Sequence, residues 1–459
     1  MAAVLGSGMA FLDGTVVNVA LPAISSDLGT DVRGLQWVLD AYLVTLTALL
    51  LLGGALGDRY GRRLVFRIGV VGFAAASVLC AVAPNTDLLV VARGLQGVAG
   101  ALLVPGSLAL LSATITPDDR SRAVGAWSGL TGVASAIGPF LGGWLVDAAS
   151  WRWAFVINVP IGLATLAATR GVAETLDGDA PAHLDIPGAV TAAAGLVVLT
   201  GGLITEAIPV SIAGVALMVL FVVVERRSPT PMLPPSLFAS SQFVGANLVT
   251  LAVYAGLGAA FFLVIVQLQI GLGYSALEAG TAMLPVTGMM LLLSARVGAL
   301  SQRIGARLPM TIGPLVVAAG LLWLGEVAPG DNYATSVLPA ALVFGLGLAI
   351  TVAPLTAAVL GAVDEHHLGV GSATNNAVAR LAGLLAVALV PTVAGVELRA
   401  GSDGSVPGYR TALVISAATC AVGAAVAWLT IRRAAVVETT VQPSLIQPCH
   451  DPCRAEAAA

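Results

Sequence analysis

The chain contains no lysine, few charged residues of any kind and only four cysteines. Charged residues make up 10% of its 459 residues, whereas an average soluble domain has about 25%. With a mean hydropathy of +0.95, this composition argues against a water-soluble fold, which would expose too much apolar surface. The net charge of −4 implies no nucleic-acid partner. Cys80 and Cys420 lie within apolar runs, so a disulfide scaffold is not supported.

Motifs that carry chemistry are also scarce. The sequence has no GxxxxGK(S/T) loop to cradle a phosphate, which argues against an ATP-driven pump. All four histidines lie outside the apolar runs, so no histidine relay is available inside a membrane. Cys449, His450 and Cys453 form CHDPC near the end of the chain, but a metal site there would need another ligand. We therefore expect no metal and no cofactor, and the role of CHDPC stays open.

The sequence has instead a series of long apolar runs. A helix needs about 20 apolar residues to cross the hydrocarbon core of a bilayer. Fourteen runs are of this kind, at approximately 2–24, 36–57, 64–83, 88–113, 123–148, 153–169, 186–204, 208–224, 242–270, 279–300, 309–327, 334–360, 375–396 and 409–431. They predict an all-α polytopic membrane protein with 14 transmembrane helices.

One short basic turn occurs twice along the chain. Residues 54–63 read GALGDRYGRR, and residues 298–307 read GALSQRIGAR eight spans later. Internal repeats in membrane carriers indicate a central binding site between two halves that rock against each other. We expect two six-helix bundles with two helices inserted between them. The predicted boundaries are 1–170 for the N-terminal bundle, 171–241 for the connector with the two extra helices, 242–433 for the C-terminal bundle and 434–459 for a disordered cytoplasmic tail.

The arginines predict an orientation, because arginine is retained on the cytoplasmic side of a membrane. Fourteen arginines fall on one side of the predicted spans and four on the other, namely Arg33, Arg152, Arg399 and Arg410. Both termini are thus expected in the cytoplasm of a bacterium, with the protein in its cytoplasmic membrane. The first span starts almost at Met1 without a basic leader, which leaves open whether Met1 is the true start.

Asp13 lies halfway along the first span, in LDGTVVNVALP. An ionised carboxylate at that depth costs roughly 2.5 to 3.5 kcal/mol on insertion scales, and such residues usually mark function. We expect Asp13 to bind and release a proton as its water exposure alternates. A structural carboxylate held by hydrogen bonds is the alternative. Asn18, on the same span, is either a hydrogen-bonding group between helices or a substrate contact.

Arg93 lies about six residues into the fourth span, in RGLQGVAGALLVPG. A buried arginine needs a partner, so Arg93 could release the proton of an acid, bind an anionic group or bridge two helices. Gln96 lies one turn away on nearly the same helical face. The sequence does not show whether Asp13 is the partner of Arg93.

The fifth span is rich in glycine around an interior Gly-Pro pair. Small residues allow helices to approach closely, and an interior proline bends its helix. We interpret the segment as a tightly packed pivot that limits leakage, although glycine-rich spans are also common in membranes. Its residues are Gly129, Gly138, Pro139, Gly142 and Gly143.

The first basic turn is a candidate conformational gate. Its arginines could merely orient the hairpin, but Gly61 permits a compact turn, and Asp58 can accept from helix N-terminal amides or pair with arginine. Asp118 and Asp119 are further candidate partners for these arginines. In the second copy Gln302 replaces Asp58, so a charged latch there has lost its acid. The gate residues are Gly54, Asp58, Arg59, Gly61, Arg62 and Arg63.

Arg380 is a second intramembrane arginine, in NNAVARLAG of the thirteenth span. Asn375 and Asn376 precede it, and the three residues are expected near the interface between the halves. A structural role and a functional role are equally compatible with this pattern. Arg296, in contrast, is close enough to the end of its span to reach water.

Four segments together resemble the signatures of the major facilitator superfamily. They are LDGTVVNVALP in span 1, GGALGDRYGRR after span 2, RGLQG in span 4 and GPFLGG in span 5. With fourteen predicted spans, the chain is similar to the drug:proton antiporter-2 branch, the 14-span multidrug exporters. The resemblance covers nearly the whole chain but identifies no particular drug.

The resemblance implies roles for single residues. Asp13 matches the acid associated with proton or cationic-substrate coupling, and Arg93 matches the arginine associated with proton transfer. Gly138 and Pro139 match the antiporter motif, and Asp58 and Arg62 match the conformational gate. Asp40, in WVLDAYLV, either lines an external vestibule or is an interfacial carboxylate exposed to water.

These observations predict a proton-coupled antiporter that exports small amphipathic or cationic compounds such as drugs and antibiotics. Its partners are then a small-molecule substrate, protons and the lipid bilayer, and we expect a monomer. The nearer alternative is an exporter of one endogenous metabolite, for example an antibiotic, a siderophore or an amino acid. The remote alternative is a membrane enzyme or a non-transporting sensor, but the spans hold almost no clustered nucleophiles or metal ligands and no soluble output domain follows.

Overall fold

The computed structural model describes residues 1–114, 117–176, 184–363, 368–397 and 406–432, apart from the side chains of 108, 112–114, 117–126, 128, 129, 132, 135, 136, 368 and 369. This part of the chain is helical and contains no β-strand. Its α-helices are α1 (Ala2–Leu28), α2 (Val32–Tyr60), α3 (Arg62–Ala81), α4 (Thr86–Thr114), α5 (Pro117–Ala148), α6 (Trp153–Val156), α7 (Asn158–Ala168), α8 (Ile186–Ile204), α9 (Ile208–Arg227), α10 (Ser241–Val266), α11 (Ala276–Ala282), α12 (Leu284–Ile304), α13 (Arg307–Gly325), α14 (Leu338–Leu360), α15 (Leu368–Ala394) and α16 (Tyr409–Thr430).

The helices confirm the predicted fourteen spans. Thirteen helical segments are long and apolar enough to cross a membrane, with α6 and α7 forming one span and α11 and α12 another. The 32-residue helix α5 is the fourteenth. The largest boundary differences are the starts of α5 at Pro117 and of α15 at Leu368, several residues before the predicted positions. α5 begins with the polar residues PDDRSR, and α15 begins with LGVGSAT, whose two glycines, serine and threonine make it less apolar than the run that follows. Hydropathy alone does not detect such helix starts.

Successive spans run in opposite directions, so the loops divide between two ends of the bundle. We call the end where α2 passes into α3 the basic end, and the end where α1 passes into α2 the far end. The two copies of the basic turn are separated by eight spans, an even number, and therefore lie at the same end. In both copies a glycine in the left-handed region ends the helix, Gly61 with φ 114° and Gly305 with φ 84°.

The two halves of the molecule meet at the far end. The Gln36 amide of α2 donates to the carbonyls of Val387 and Ala388 on α15, at 2.7 and 3.0 Å. The Asp147 carboxylate at the end of α5 accepts from the first backbone amides of α11, Ala276 N at 3.1 Å and Leu277 N at 2.8 Å. These contacts join helices of different halves near their far-end termini.

The inserted helices α8 and α9 pack against each other, and α8 also contacts α2 and α15. Asp185 caps α8 by accepting from Gly188 N at 2.9 Å. Glu225 near the end of α9 accepts from Leu233 N at 3.1 Å, which ties the following connector to the pair. The inserted helices thus cover one side of the α2–α15 contact.

Candidate functional site

Asp13 is the centre of a buried polar cluster between the helices of the first half. Its side chain has no solvent exposure, and its Oδ2 accepts from Arg93 Nη1 at 2.6 Å. Its Oδ1 accepts from Gln96 Nε2 at 2.8 Å and from Asn158 Nδ2 at 2.9 Å. Three N–H donors therefore replace the water that an ionised carboxylate would lose in an apolar bundle.

Arg93 is held by α2 as well as by Asp13. Its Nε donates to the Val38 carbonyl at 3.1 Å, and its Nη1 also donates to Gln96 Oε1 at 2.6 Å. The guanidinium lies over the ring of Tyr42, 4.4 Å from the ring centroid, an arrangement that stabilises a cation. The partner that the sequence left open for Arg93 is Asp13. The ion pair joins α1 to α4, and the hydrogen bond to Val38 adds α2.

Two residues of this cluster are not singled out by the sequence. Asn158 begins α7 and donates to Asp13, and Ser77 of α3 accepts from Gln96 Nε2 at 2.9 Å and from Asn158 Nδ2 at 3.3 Å. Their only signal is a lone polar side chain within an apolar run. Many polar side chains in apolar runs form hydrogen bonds to backbone carbonyls of their own helix. A lone polar residue in the sequence therefore does not identify a member of the cluster.

The structure places Asn18 and Asp40 away from this cluster. The Asn18 amide donates to the Gly14 carbonyl of its own helix at 2.8 Å. Asp40 is fully buried, so the interpretation as a water-exposed carboxylate is wrong. Gln36 and Val44, one turn to either side on the same face of α2, contact α15, and this packing removes Asp40 from water. Among the described residues, neither Asp40 oxygen has a hydrogen-bond partner.

A cavity of about 340 Å³ lies between the halves. The first half contributes Phe11, two residues before Asp13, and the second half contributes side chains from α10, α14 and α15. Leu360 at the end of α14 and Ser372 in the second turn of α15 line the part of the cavity that is nearer the basic end. The predicted residues Asn375 and Arg380 both line it, at mid-depth of α15.

Tyr42 connects the cluster and the cavity. Its ring supports the Arg93 guanidinium, and it is also within electrostatic reach of Arg380. The Arg380 guanidinium lies 6.0 Å from the ring centroid of Phe11. Tyr42 is therefore within electrostatic reach of both the Asp13–Arg93 pair and the cavity residue Arg380.

The first basic turn is held by two carboxylates. Asp58 Oδ1 accepts from Arg62 Nε at 2.8 Å, in a partly exposed pair. Glu174, which the sequence did not single out, accepts from the backbone amides of Arg63 at 2.9 Å and Leu64 at 3.0 Å, so it caps the start of α3. Gly61 lets this carboxylate approach, because a Cβ there would lie 2.8 Å from it.

The remaining gate residues have simpler surroundings. Gly54 packs against Pro105 of α4, and the Arg59 guanidinium lies over the ring of Tyr60. In the second copy of the turn Arg307 stacks on Trp428, 4.2 Å from the ring centroid. Three predicted residues and one motif lie outside the residues whose side chains are described, namely Gly129, Asp118, Asp119 and CHDPC.

The Gly-Pro segment of α5 packs closely on two sides. A Cβ at Gly138 would overlap Thr15 of α1, and one at Gly142 would lie 3.0 Å from Val16. On the other side, a Cβ at Gly143 would lie 2.5 Å from the Ala276 carbonyl of α11, and α11 likewise approaches the Pro139 carbonyl through Gly280. The segment is thus a contact between the halves, as the pivot interpretation requires.

In the described part of the chain, fourteen membrane-spanning helices form two halves, with a buried ion pair inside the first half and a cavity between the halves. This arrangement defines a polytopic membrane transporter rather than an enzyme. Residues 3–387 match the Major Facilitator Superfamily. The chain belongs to this family, and its resemblance to the family's 14-span drug-exporter branch is confirmed by its relatives.

Several curated relatives are similar over most of their length. The chain is 34% identical over 451 residues to the puromycin resistance protein pur8 of Streptomyces alboniger, covering 92% of this chain and 88% of that protein. It is 34% identical over 437 residues to the probable actinorhodin transporter of Streptomyces coelicolor, covering 90% and 75%. It is 31% identical over 410 residues to the multidrug resistance protein Stp of Mycobacterium tuberculosis, covering 86% and 75%.

Solved transporter structures share the fold at low sequence identity. A POT family transporter superposes with a TM-score of 0.69 at 14% identity, covering 93% of this chain and 95% of that one. The nucleoside transporter NupG superposes with a TM-score of 0.66 at 12% identity, covering 94% of this chain and 99% of that one. The inward-open xylose transporter XylE of E. coli gives 0.63 at 16% identity, covering 94% and 95%. These likenesses establish the major facilitator fold.

Proposed function

We propose that the protein is a proton-coupled antiporter that exports small amphipathic compounds, including drugs or antibiotics. The observation that carries the proposal is the buried Asp13 carboxylate, which is paired with Arg93 and lies on α1, the helix whose Phe11 lines the cavity between the halves. Relatives named for puromycin resistance and multidrug resistance support export of such compounds.

The coupling step follows from competition between a proton and Arg93 for the Asp13 carboxylate. While Asp13 is ionised, Arg93, Gln96 and Asn158 hold it and stiffen the first half. A proton on Oδ2 removes the charge that Arg93 neutralises, so the guanidinium loses its main partner. Proton binding and substrate binding then stabilise different conformations, which is the requirement for exchange. One charge moved through 100 mV supplies roughly 2.3 kcal/mol.

The geometry supports an orientation and a conformational state. We propose that the basic end faces the cytoplasm of a bacterium, so that both ends of the chain lie there, and that this conformation is inward-facing. Contacts between the halves hold them together at the far end, and the cavity extends toward the basic end. We retain the domain boundaries 1–170, 171–241, 242–433 and 434–459, and a monomer, as parts of the proposal.

The other site residues keep proposed roles. Asp58 and Arg62 form the gate at the basic end, and Gly138, Pro139, Gly142 and Gly143 form the pivot. Asp40 is a candidate for a second proton-binding group, because a carboxylate with two unpartnered oxygens in the described structure is most stable in its neutral form.

The proposal is tested in inverted membrane vesicles with an imposed pH gradient, acidic inside. Wild type should accumulate a fluorescent amphipathic dye, and nigericin should abolish the accumulation by collapsing the gradient. Asp13→Asn should bind the dye but lose the gradient-driven part of uptake. Asp27→Asn is the matched control, because Asp27 is on the same helix in an exposed pair with Arg152. Unchanged gradient dependence in Asp13→Asn contradicts the coupling role.

A narrower function, export of one particular metabolite, is supported by relatives named for single compounds. These include the probable actinorhodin transporter and the tetracenomycin C resistance and export protein of Streptomyces glaucescens. The two functions are separated by competition in the same vesicles. Inhibition of dye uptake by many unrelated amphipathic compounds indicates a multidrug exporter, and inhibition by one chemical series indicates a dedicated one.

A further inference from the structure

Arg380 places a positive charge in the cavity without a counter-charge. It lies at mid-depth of α15, where its guanidinium meets the Phe11 ring at 6.0 Å. Arg93 has its acid within 2.6 Å, but Arg380 forms no ion pair with any carboxylate in the described part of the chain. A partly buried guanidinium of this kind favours a carboxylate or another planar anion that accepts two parallel hydrogen bonds.

The other polar groups of the cavity suit the same ligand. Asn375 Oδ1 accepts from Thr250 Oγ1 at 2.7 Å, so its amide N–H groups remain available as donors. Tyr254 adds a hydroxyl group, whereas the Thr356 hydroxyl donates to the Val352 carbonyl of its own helix. None of the residues that line the cavity in the described structure is aspartate or glutamate, and a cation there would meet Arg380 without a compensating acid.

We propose that this cavity selects substrates that join an apolar body to one anionic group, with Arg380 as the residue that binds the anion. The inference rests on the proposed export function and narrows the substrate class expected from the sequence. Phe11 and the apolar side chains of α14 contact the body of the substrate, and Arg380 with Asn375 binds its carboxylate or enolate. Compounds that carry only a positive charge are poor substrates.

Binding to the purified full-length protein, without any gradient, tests this proposal. The probes are rhodamine B, which carries a carboxylate, and rhodamine B ethyl ester, which differs only by its esterification. Wild type should bind the acid about tenfold or more tightly than the ester, as expected for one charged hydrogen-bonded pair. Arg380→Gln should abolish this preference, and Arg380→Lys should keep part of it. Equal affinities in wild type, or an unchanged preference in Arg380→Gln, overturn the proposal.

Arg296→Gln is the matched control for a lost membrane arginine. Arg296 is exposed on α12 and donates to the Leu292 carbonyl of its own helix, so the preference for the acid should persist in this variant. A monodisperse elution profile and ester binding equal to that of wild type show that Arg380→Gln is folded. If that variant does not fold, competition of wild-type rhodamine B binding by benzoate but not by benzyl alcohol supports the proposal, and equal competition overturns it.

An acidic phospholipid headgroup offers the same anion chemistry. Nanodiscs of phosphatidylcholine with increasing phosphatidylglycerol separate the two sources. Unchanged rhodamine B affinity supports a free solute, and loss of affinity in proportion to phosphatidylglycerol assigns the site to lipid and overturns the substrate class. The binding assay uses no pH gradient, so it tests the anion preference independently of transport. If the protein binds rhodamine B more tightly than the ester but shows no proton-driven uptake in vesicles, only the proposed export mechanism is refuted. If the protein takes up rhodamine B ethyl ester in a proton-driven manner but not rhodamine B, only the anion preference is refuted.

Discussion

Asp13 and Arg93 are separated by 80 positions in the chain, and their side chains form a fully buried ion pair of 2.6 Å. Each residue is the main reason that the other can be charged inside an apolar bundle. The cost of removing one partner therefore differs from the cost of removing both.

We predict that Asp13→Asn and Arg93→Gln each lower thermal stability strongly, because each leaves an uncompensated buried group. The expected cost is about 3 to 5 kcal/mol for each single variant. The double variant should be more stable than the sum of the single effects indicates, since it leaves no unpaired charge. Thermal unfolding in detergent measures all three. Strict additivity would show that the pair does not interact energetically.

Asn158 should act on turnover more than on substrate binding. Asn158→Ala removes one of three donors to Asp13, so the ionised carboxylate becomes less stable and the exchange cycle changes. We expect gradient-driven uptake to fall by about tenfold, with dye affinity in the absence of a gradient unchanged. Asn18→Ala is the control, because the Asn18 amide donates only within its own helix among the described contacts. Equal losses in the two variants would remove the role assigned to Asn158.

Gly143→Ala should open the far end. The added Cβ would lie 2.5 to 2.7 Å from the backbone of Ala276 and Leu277, and this overlap pushes α11 away from α5. Gly14→Ala is the control, because no described atom lies within 4 Å of its Cβ position.

The measurement for this pair is labelling of a single cysteine at Val19, in a background without the native cysteines. Val19 is buried in the half of α1 nearer the far end, and its carbonyl accepts from Gln269 of the other half. A membrane-impermeant maleimide applied from the far side should react severalfold faster in the Gly143→Ala protein than in the Gly14→Ala protein. Equal rates would mean that the close approach at Gly143 does not hold the halves together.

Asp58→Asn should slow transport without unfolding the protein. The Asp58–Arg62 pair is partly exposed, so its contribution to stability is about 0 to 1 kcal/mol. Its loss should nevertheless lower turnover, because it holds the turn between α2 and α3. Glu326→Gln, which breaks an exposed pair with Arg410, is the control and should transport normally. Normal turnover in Asp58→Asn would rule out the gate.

The helices and the repeat were predictable because they depend on local chemistry. A membrane requires about 20 apolar residues per helix, and each predicted span corresponds to a helix or helix pair. The compact turn at Gly61 was also predicted, and Gly61 adopts a positive φ. Gly305, at the corresponding position of the second copy, does the same.

The partners of the polar residues were decided only by the tertiary structure. A membrane helix is apolar on nearly every side, so its hydropathy pattern does not show which face points inward. For this reason the sequence identified Asp13 and Arg93 as buried charges but did not pair them, placed Asp40 in water, and did not find Asn158. The same limit applies to Arg380, because its position in a cavity without a described acid depends on the rotation of α15 and on helices far away in the chain.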